Sequence, residues 1–100
     1  MFGNPMDIYR KFDPKVMECF DHLQSTALSE GVLPQRVKLL IAMALDAEHG
    51  ATQGATALGQ RAMKVGATKE EIVEALRIAY YVGGNRALFT SAIVLQGLFK

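Results

Sequence analysis

Apolar residues recur three or four positions apart along most of this chain, which is the spacing that places them on one face of an α-helix. The first such run follows Asp13-Pro14, an N-cap residue and a proline at the first helical position, and it ends at Gly31. A second run opens at Pro34 and reaches His49. Its centre, residues 39–45, is apolar on every side, which predicts the buried middle of the fold. The apolar stripe of the first run consists of Val16, Phe20, Leu23 and Ala27.

Three further helices are predicted in the second half of the chain. Gly50 ends the second run, and a third helix follows it and ends at Gly66. The sequence Thr68-Lys69-Glu70-Glu71 has the pattern of a capping box, which opens a fourth helix that ends at Gly83-Gly84. Asn85 is expected to cap a fifth helix. The stripe predicted for the fifth helix consists of Leu88, Ala92, Leu95 and Phe99, beside Phe89 and Ile93.

The fold class follows from these periods. No segment shows the alternation of period two that is typical of β-strands. The sequence therefore predicts an all-α fold, a single domain over residues 1–100 with about five helices. Residues 1–12 leave room for a further short turn that contains Ile8, Tyr9 and Phe12.

The composition points to an assembly rather than a lone domain. Half of the residues are hydrophobic, nine more are glycine, and only 21% are charged. Typical soluble domains hold about 45–50% apolar residues with glycine included. A chain of this length buries only roughly 60–70% of the surface that its unfolded form exposes. We therefore expect a homo-oligomer. The net charge of +1 argues against nucleic acid or an anionic membrane surface as a partner.

Cysteine usage and hydropathy restrict the chemistry and the compartment. Cys19 is the only cysteine, so neither a disulfide framework nor a thiolate metal site can form within one chain. No metal and no cofactor are predicted. No apolar run approaches the ~18 residues of a membrane span, and residues 1–5 lack the pattern of a signal peptide, which predicts a cytoplasmic protein. Cys19 falls on the apolar stripe of the first helix and is expected to be a buried, inert thiol.

Two segments of the chain carry a resemblance to a known family. They are "VLPQRVKLLIAMAL" and "HGATQGATALGQRAMKVGATKEEIVEALRIAYYVGG", and the most specific part is "GATKEEIVEAL" followed by "YYVGG". These segments resemble the carboxymuconolactone decarboxylase family, which includes the alkylhydroperoxidase D-like thiol peroxidases. The resemblance implies an all-helical domain that assembles as trimers or hexamers.

The thiol motif of that family is missing. Its thiol-active members carry a Cys-x-x-Cys-x-x-x-His run after the glycine that stands here at position 50, and a glutamate twelve residues before the first cysteine. The matching positions here are Ala51 and Gly54 for the thiols, Leu58 for the histidine and Leu39 for the glutamate. A thiolate nucleophile, a resolving thiol and a base are therefore absent. The resemblance does not extend to thiol peroxidase activity. The family's cysteine-free lactone decarboxylases keep the histidine, and Leu58 departs from them as well.

His49 and Asp46 are the candidate catalytic residues. Histidine side chains titrate near neutral pH, so His49 suits a general acid or base. The alternative is a cation that stabilises the carboxyl end of its helix, before a glycine that permits a left-handed turn. Asp46 interrupts an apolar segment three residues earlier. At that spacing the Asp46 carboxylate can reach the imidazole ring and orient it. The alternative is that Asp46 faces solvent and has no role.

The start of the third helix is the candidate ligand site. Its first turn offers free N–H groups and the positive end of the helix dipole, which suits a small carboxylate. The alternative is that polar side chains merely satisfy the helix end. Tyr80 is a further candidate as a hydroxyl donor to the ligand, or as an interface residue. The predicted ligand-binding residues are Gly50, Ala51, Thr52, Gln53 and Tyr80.

Small residues cover one side of the third helix. Glycine inside a helix costs about 0.5–1 kcal/mol relative to alanine. Gly54 and Gly59 therefore indicate either a closely packed neighbouring helix or access for a ligand.

Three functions are compatible with these residues. The first is a lyase or isomerase, decarboxylase-like, that acts on a small carboxylate or lactone with His49 and Asp46 as proton-transfer groups. The second is a non-catalytic, oligomeric small-molecule-binding or scaffold protein. The third is a peroxide-reducing enzyme that uses Cys19.

Overall fold

Six α-helices make up the part of the chain that the computed structural model describes, residues 5–100. Residues 1–4, on which the expectation about a signal peptide partly rests, lie outside the described residues. The helices are α1 (Pro5–Phe12), α2 (Pro14–Leu28), α3 (Gln35–His49), α4 (Thr52–Lys64), α5 (Lys69–Gly83) and α6 (Asn85–Phe99). The all-α prediction is confirmed, with α1 as a helix beyond the predicted five. No helix of residues 5–100 combines the length and the hydropathy needed to cross a membrane.

The helix ends follow the predicted signals with two exceptions. The first is Gly31, because α2 already ends at Leu28 with Ser29 as its cap. Asp13 accepts a hydrogen bond from the Val16 backbone N–H at 3.1 Å, and Gly50 ends α3 in the left-handed conformation with φ +83°. The prediction that Asn85 caps the last helix is wrong. Gly84 takes the cap position with φ +75° and α6 has no side-chain cap. The left-handed Gly84 turns the chain so tightly that the next residue is already helical.

The predicted capping box at the start of α5 is confirmed. The Glu71 N–H donates to Thr68 Oγ1 at 3.1 Å, and the Thr68 N–H donates to Glu71 Oε1 at 3.0 Å. The Arg36 guanidinium of α3 also donates to the Glu71 carboxylate. The Thr68 N–H and the Arg36 guanidinium hold the pKa of Glu71 below its ordinary value.

We expect Glu71→Gln to remove an acid-sensitive contribution to stability. A carboxylate whose pKa is lowered by folding stabilises the fold above its unfolded pKa, and this contribution is lost as pH falls through the folded pKa. Glutamine keeps the capping box without the charge. The difference in unfolding free energy between wild type and variant should therefore shrink as pH falls below about 4.5. Urea titrations from about pH 7 to about pH 3 measure it. A difference that stays constant with pH would contradict the assignment.

Helices α3 to α6 form a bundle with α3 at its centre, because α3 contacts α4, α5 and α6. Arg36 pairs with Glu71 near the first turns of α3 and α5. Glu48 lies against Gly83 near their last turns, so these two helices run parallel. All four helices contribute to the core, whose buried members include Leu39, Met43, Ala47, Ala55, Ala62, Ile72, Leu76, Ala79 and Val94.

Helix α3 is not buried on every side, contrary to the prediction. Leu39 and Met43 face the core and are fully buried, but Ile41 and Leu45 remain 46% and 58% exposed. The neighbouring helices leave one long side of α3 uncovered. The apolar residues on that side therefore form part of the surface of the isolated chain.

The apolar stripe predicted for α2 also faces outward. The stripe predicted for α6 does so only in part, since Leu95 and Phe99 pack against the core. Helix α6 packs through its small residues, because short side chains let it approach the bundle closely. The buried positions of α6 are Ala87, Thr90, Ser91 and Val94, while Leu88, Phe89 and Ile93 are exposed. In α2 only Met17 is buried, and Val16, Phe20 and Leu23 are exposed.

Helices α1 and α2 form an N-terminal arm (Pro5–Leu28) attached to the bundle through α3. Arg10 of α1 pairs with Asp21 of α2 at 2.5 Å and folds the two helices together. No residue of α1 is buried. The prediction that Cys19 is a buried thiol is wrong, because α2 turns its Met17 side to the bundle and leaves Cys19 exposed.

Candidate functional site

His49 and Glu48 form a hydrogen-bonded pair at the carboxyl end of α3. His49 Nδ1 lies 2.7 Å from Glu48 Oε1. An ionised carboxylate can only accept, so the proton of this bond belongs to Nδ1. In the neutral ring Nε2 is then a free acceptor on a side chain that is 73% exposed. The pair is an oriented imidazole with one nitrogen available to a ligand.

Glu48 is fixed by two neighbouring helices. Its side chain is only 23% exposed. It packs so closely on α5 that a Cβ at Gly83 would lie 2.9 Å from Glu48 Cγ. Arg86 of α6 donates from Nη2 to the Glu48 carbonyl oxygen at 3.2 Å and lies 3.6 Å from Glu48 Oε2. The carboxylate that orients His49 is thus positioned by the bundle itself.

Asp46 does not meet His49. Its carboxylate is half-buried and lies against α4, where it fills the space that a Cβ at Gly54 would need. It makes no hydrogen bond or ion pair within the described residues. The absence of a side chain at Gly54 is therefore explained by Asp46, and the carboxylate partner of His49 is Glu48 instead.

The backbone amides at the start of α4 are partly occupied. The N–H of Gly50 donates to Ala47 O at 3.2 Å, and that of Ala51 donates to Asp46 O at 2.8 Å. The Thr52 N–H donates to Gly50 O at 3.0 Å. The tight turn after α3 thus uses the N–H groups of Ala51 and Thr52, which the sequence suggested were free. The N–H groups of Gln53 and Gly54 make no hydrogen bond among the described residues. The Asp46 carboxylate beside this turn also supplies negative charge of its own, which disfavours a second anion there.

Tyr80 lies on α5, three residues before the glycine that contacts Glu48. Its side chain is 43% exposed. Its hydroxyl makes no hydrogen bond within residues 5–100, and its carbonyl accepts the N–H of Gly84 at 2.8 Å. The phenol is therefore available to a ligand but is not joined to the histidine pair.

A groove of about 400 Å³ runs along the uncovered side of α3 and α5. It is apolar along most of its length, with Glu71 and Glu74 at one end. On α3 the lining of the groove ends at Leu45, and His49 lies one helical turn beyond it. The apolar lining consists mainly of Val37, Leu40, Ile41, Leu45, Ala75 and Ile78.

The histidine and glutamate positions of the missing thiol motif are packing positions here, whereas Ala51 at the first thiol position is exposed. Leu39 is fully buried in the core and Leu58 packs against it. Gly59 of α4 is likewise a packing position, since a Cβ there would lie 2.8 Å from Leu98 Cδ1. Within residues 5–100 no three His, Cys, Asp or Glu side chains are placed to hold a metal ion. Cys19 shares an open depression on α2 with Glu18 and His22 and has no hydrogen-bond partner among the described residues.

Sequence reasoning missed Glu48 and did not single out Arg86. The signal for Glu48 was its place beside His49, close to a helix end where side chains turn more freely. Arg86 looked like any surface arginine, because nothing in the sequence brings the start of α6 to the end of α3. Gly83 was the remaining clue, since a glycine just inside a helix end marks a close approach by another element.

Comparisons with known proteins agree with this architecture. The sequence profile of the carboxymuconolactone decarboxylase family matches residues 14–96. An uncharacterised protein of Cupriavidus necator is 34% identical over 72 residues, which are 72% of this chain and 64% of that protein. The chain thus spans less than two thirds of that relative. The crystal structure of a carboxymuconolactone decarboxylase family protein from Legionella pneumophila, in its apo form, superposes with a TM-score of 0.87 and 33% identity. The superposition covers 93% of this chain and 83% of that one.

Proposed function

The chain belongs to the carboxymuconolactone decarboxylase family, and we propose that it is a small-molecule enzyme of the lyase or isomerase class. Its substrate is a small carboxylate or lactone, and His49 is its proton-transfer group. The observation that carries the proposal is the 2.7 Å hydrogen bond from His49 Nδ1 to the half-buried Glu48. A thiol peroxidase reaction is excluded from the proposal because the thiol positions hold Ala51 and Gly54.

The proposed chemistry is proton transfer at a carbon next to a carbonyl. Glu48 holds the proton on Nδ1, so the neutral ring takes a proton from the substrate at Nε2. The imidazolium that forms is stabilised by the Glu48 carboxylate and then returns the proton to the carbanion or enolate. In a decarboxylation the ring enters the reaction already protonated by solvent, and the imidazolium gives that proton to the carbanion left by loss of carbon dioxide. A decarboxylation and an isomerisation thus need the same pair of residues.

Arg86 and the groove supply the binding groups of the proposal. The guanidinium carries five N–H donors, of which one is used on the Glu48 carbonyl. It is mostly exposed beside His49 and can hold a carboxylate through two parallel hydrogen bonds. We therefore assign the anion to Arg86 and not to the amides that open α4, because the Asp46 carboxylate lies beside those amides. The apolar body of the substrate packs on Leu45, where the groove between α3 and α5 ends one turn before His49.

A thermal-shift screen against small carboxylates and lactones tests this arrangement. A ligand present at ~100 times its Kd stabilises the wild type by about 2.7 kcal/mol. We expect Arg86→Met to lose that shift, because methionine keeps the aliphatic length without the charge. Arg77→Met, at an exposed arginine of α5, is the matched control and keeps the shift. Ligands that stabilise Arg86→Met as well as the wild type, or the absence of any stabilising ligand, would overturn the proposal.

A second proposal concerns assembly. The many exposed apolar side chains on α1, on the α3–α5 groove and on α6 favour a homo-oligomer, of which a trimer or hexamer is the form implied by the family resemblance. A non-catalytic, small-molecule-binding or scaffold protein would use the same surfaces without the histidine pair. The enzyme and the non-catalytic protein are distinguished by whether function depends on His49: the enzyme requires it for turnover, and binding by the non-catalytic protein does not.

A further inference from the structure

The N-terminal arm presents an apolar face that the isolated chain does not cover. Ile8 and Phe12 follow one another at a spacing of four residues on α1 and are 63% and 83% exposed. Tyr9 beside them is 52% exposed. Helix α1 has eight residues and no buried side chain. Isolated helices of this length are only marginally stable in water, so α1 is not stable by itself. The face of α1 therefore requires a partner surface.

The groove between α3 and α5 is the complementary uncovered surface. Leu45 and Ile78 on its two walls are 58% and 62% exposed. The groove is long and apolar, and a helix that lays one apolar face into such a groove is a common mode of association. One chain thus carries both an unpartnered helix face and an unpartnered helix-binding groove.

The arm of the same chain lies on the wrong side of α3 to fill this groove. Near its carboxyl end, α2 shares a depression with Gln35 at the start of α3 and Arg61 of α4. The arm therefore leaves the bundle on the α4 side. The groove lies on the α5 side. An arm from a second copy meets no such restriction.

The charges at the two surfaces match. Lys11 and Lys15 flank Phe12 in the sequence, and neither has an ion-pair partner among the described residues. The groove carries Glu71 and Glu74 on α5. Glu71 is already paired with Arg36, whereas Glu74 has no described partner. Lysines beside an apolar helix face and glutamates beside an apolar groove favour one orientation of docking.

We propose that α1 of a second copy lies in the α3–α5 groove and closes it. Two copies related by a twofold axis exchange their arms, so that each groove receives the other's Phe12 face. This inference rests on the proposed function, because the groove that the partner covers ends at Leu45, one turn before His49. The site is then complete only in the assembled protein, where the arm shields the apolar groove from water.

Site-directed disulfide cross-linking tests the docking. All variants carry Cys19→Ser, which removes the exposed native thiol. A tagged variant with Phe12→Cys, or with Ile8→Cys one turn away, is mixed with an untagged variant with Ile78→Cys and mildly oxidised. A disulfide requires Cα atoms within about 7 Å, so cross-linked heterodimers report a specific contact. Because the two cysteines are on differently tagged chains, contacts within one chain do not contribute.

The matched control places the cysteine on a different exposed apolar face. Phe89 of α6 is 74% exposed, and Phe89→Cys replaces Ile78→Cys in the control mixture. We expect at least about tenfold more tagged–untagged heterodimer with Ile78→Cys than with Phe89→Cys for one of the two arm positions. Equal or greater yield with Phe89→Cys would overturn the proposal. So would the absence of heterodimer with both arm positions, or Ile78→Cys chains that join only to each other.

The docking of the arm and the proposed reaction can be contradicted separately. Cross-linking does not involve Arg86 or His49, so it succeeds for a scaffold protein without any substrate. A ligand screen that depends on Arg86, together with no arm–groove cross-link, would leave the proposed enzyme standing and remove only the docked arm.

Discussion

Met43→Ala is expected to lower the free energy of unfolding by about 2–5 kcal/mol. Met43 is fully buried at the middle of α3, and its Sδ lies where α4 approaches most closely. A Cβ built at Gly59 would be 3.2 Å from Met43 Sδ and 2.8 Å from Leu98 Cδ1. Truncation leaves a cavity between three helices that Gly59 has no side chain to fill. The total free energy of unfolding of a domain is about 5–15 kcal/mol, so the expected loss is a large fraction of it.

Urea denaturation followed by circular dichroism measures this effect, since the chain contains no tryptophan. Met63→Ala is the control with the same chemical change at a partly exposed position of α4, and we expect a loss within about 0.5 kcal/mol. Met43→Leu conserves volume and should cost less than about 1.5 kcal/mol. Equal losses for Met43→Ala and Met63→Ala would show that the α3–α4–α6 contact does not hold the core together.

His49→Ala is expected to reduce turnover of an identified substrate by about 10²–10⁴-fold, the usual contribution of a positioned acid or base. The midpoint of thermal unfolding should barely change, because the side chain is 73% exposed. Glu48→Gln should have a smaller effect than His49→Ala. The amide oxygen still accepts from Nδ1, but the charge that stabilises the imidazolium is gone.

The control for His49 is the other histidine of the chain. His22 is exposed on α2, and His22→Ala should leave turnover unchanged. In a double variant, Glu48→Gln should add little to His49→Ala, because the two residues act as one unit. Full turnover by His49→Ala would remove His49 from the mechanism, and additive losses would separate Glu48 from it.

The helices of this protein could be predicted from the sequence because their signals are local. Asp13-Pro14, Gly50 and the capping box of Thr68 and Glu71 act within one or two turns, so their residue types suffice to place helix ends. The spacing of apolar residues likewise shows which segments are helical. It does not show which face is buried, and the predicted stripe of α6 therefore combines Leu95 and Phe99, which pack against the core, with Leu88, which is exposed.

The candidate site was predicted in part. His49 was singled out from its residue type and its place before Gly50, but its partner was assigned to Asp46 from helical spacing alone. Spacing could not show that the missing side chain at Gly54 leaves room for the Asp46 carboxylate on α4. It could not show that Gly83 and Arg86 hold Glu48 against the ring either.

The sequence by itself determined the all-helical class, most helix ends and the loss of the thiol motif, because each of these depends on residues that are neighbours along the chain. Only the tertiary structure decided which apolar faces are covered and which carboxylate meets His49. Those outcomes depend on how closely α3, α5 and α6 approach. That approach is set by small residues such as Gly83 and Ala87 at contacts between segments far apart in sequence.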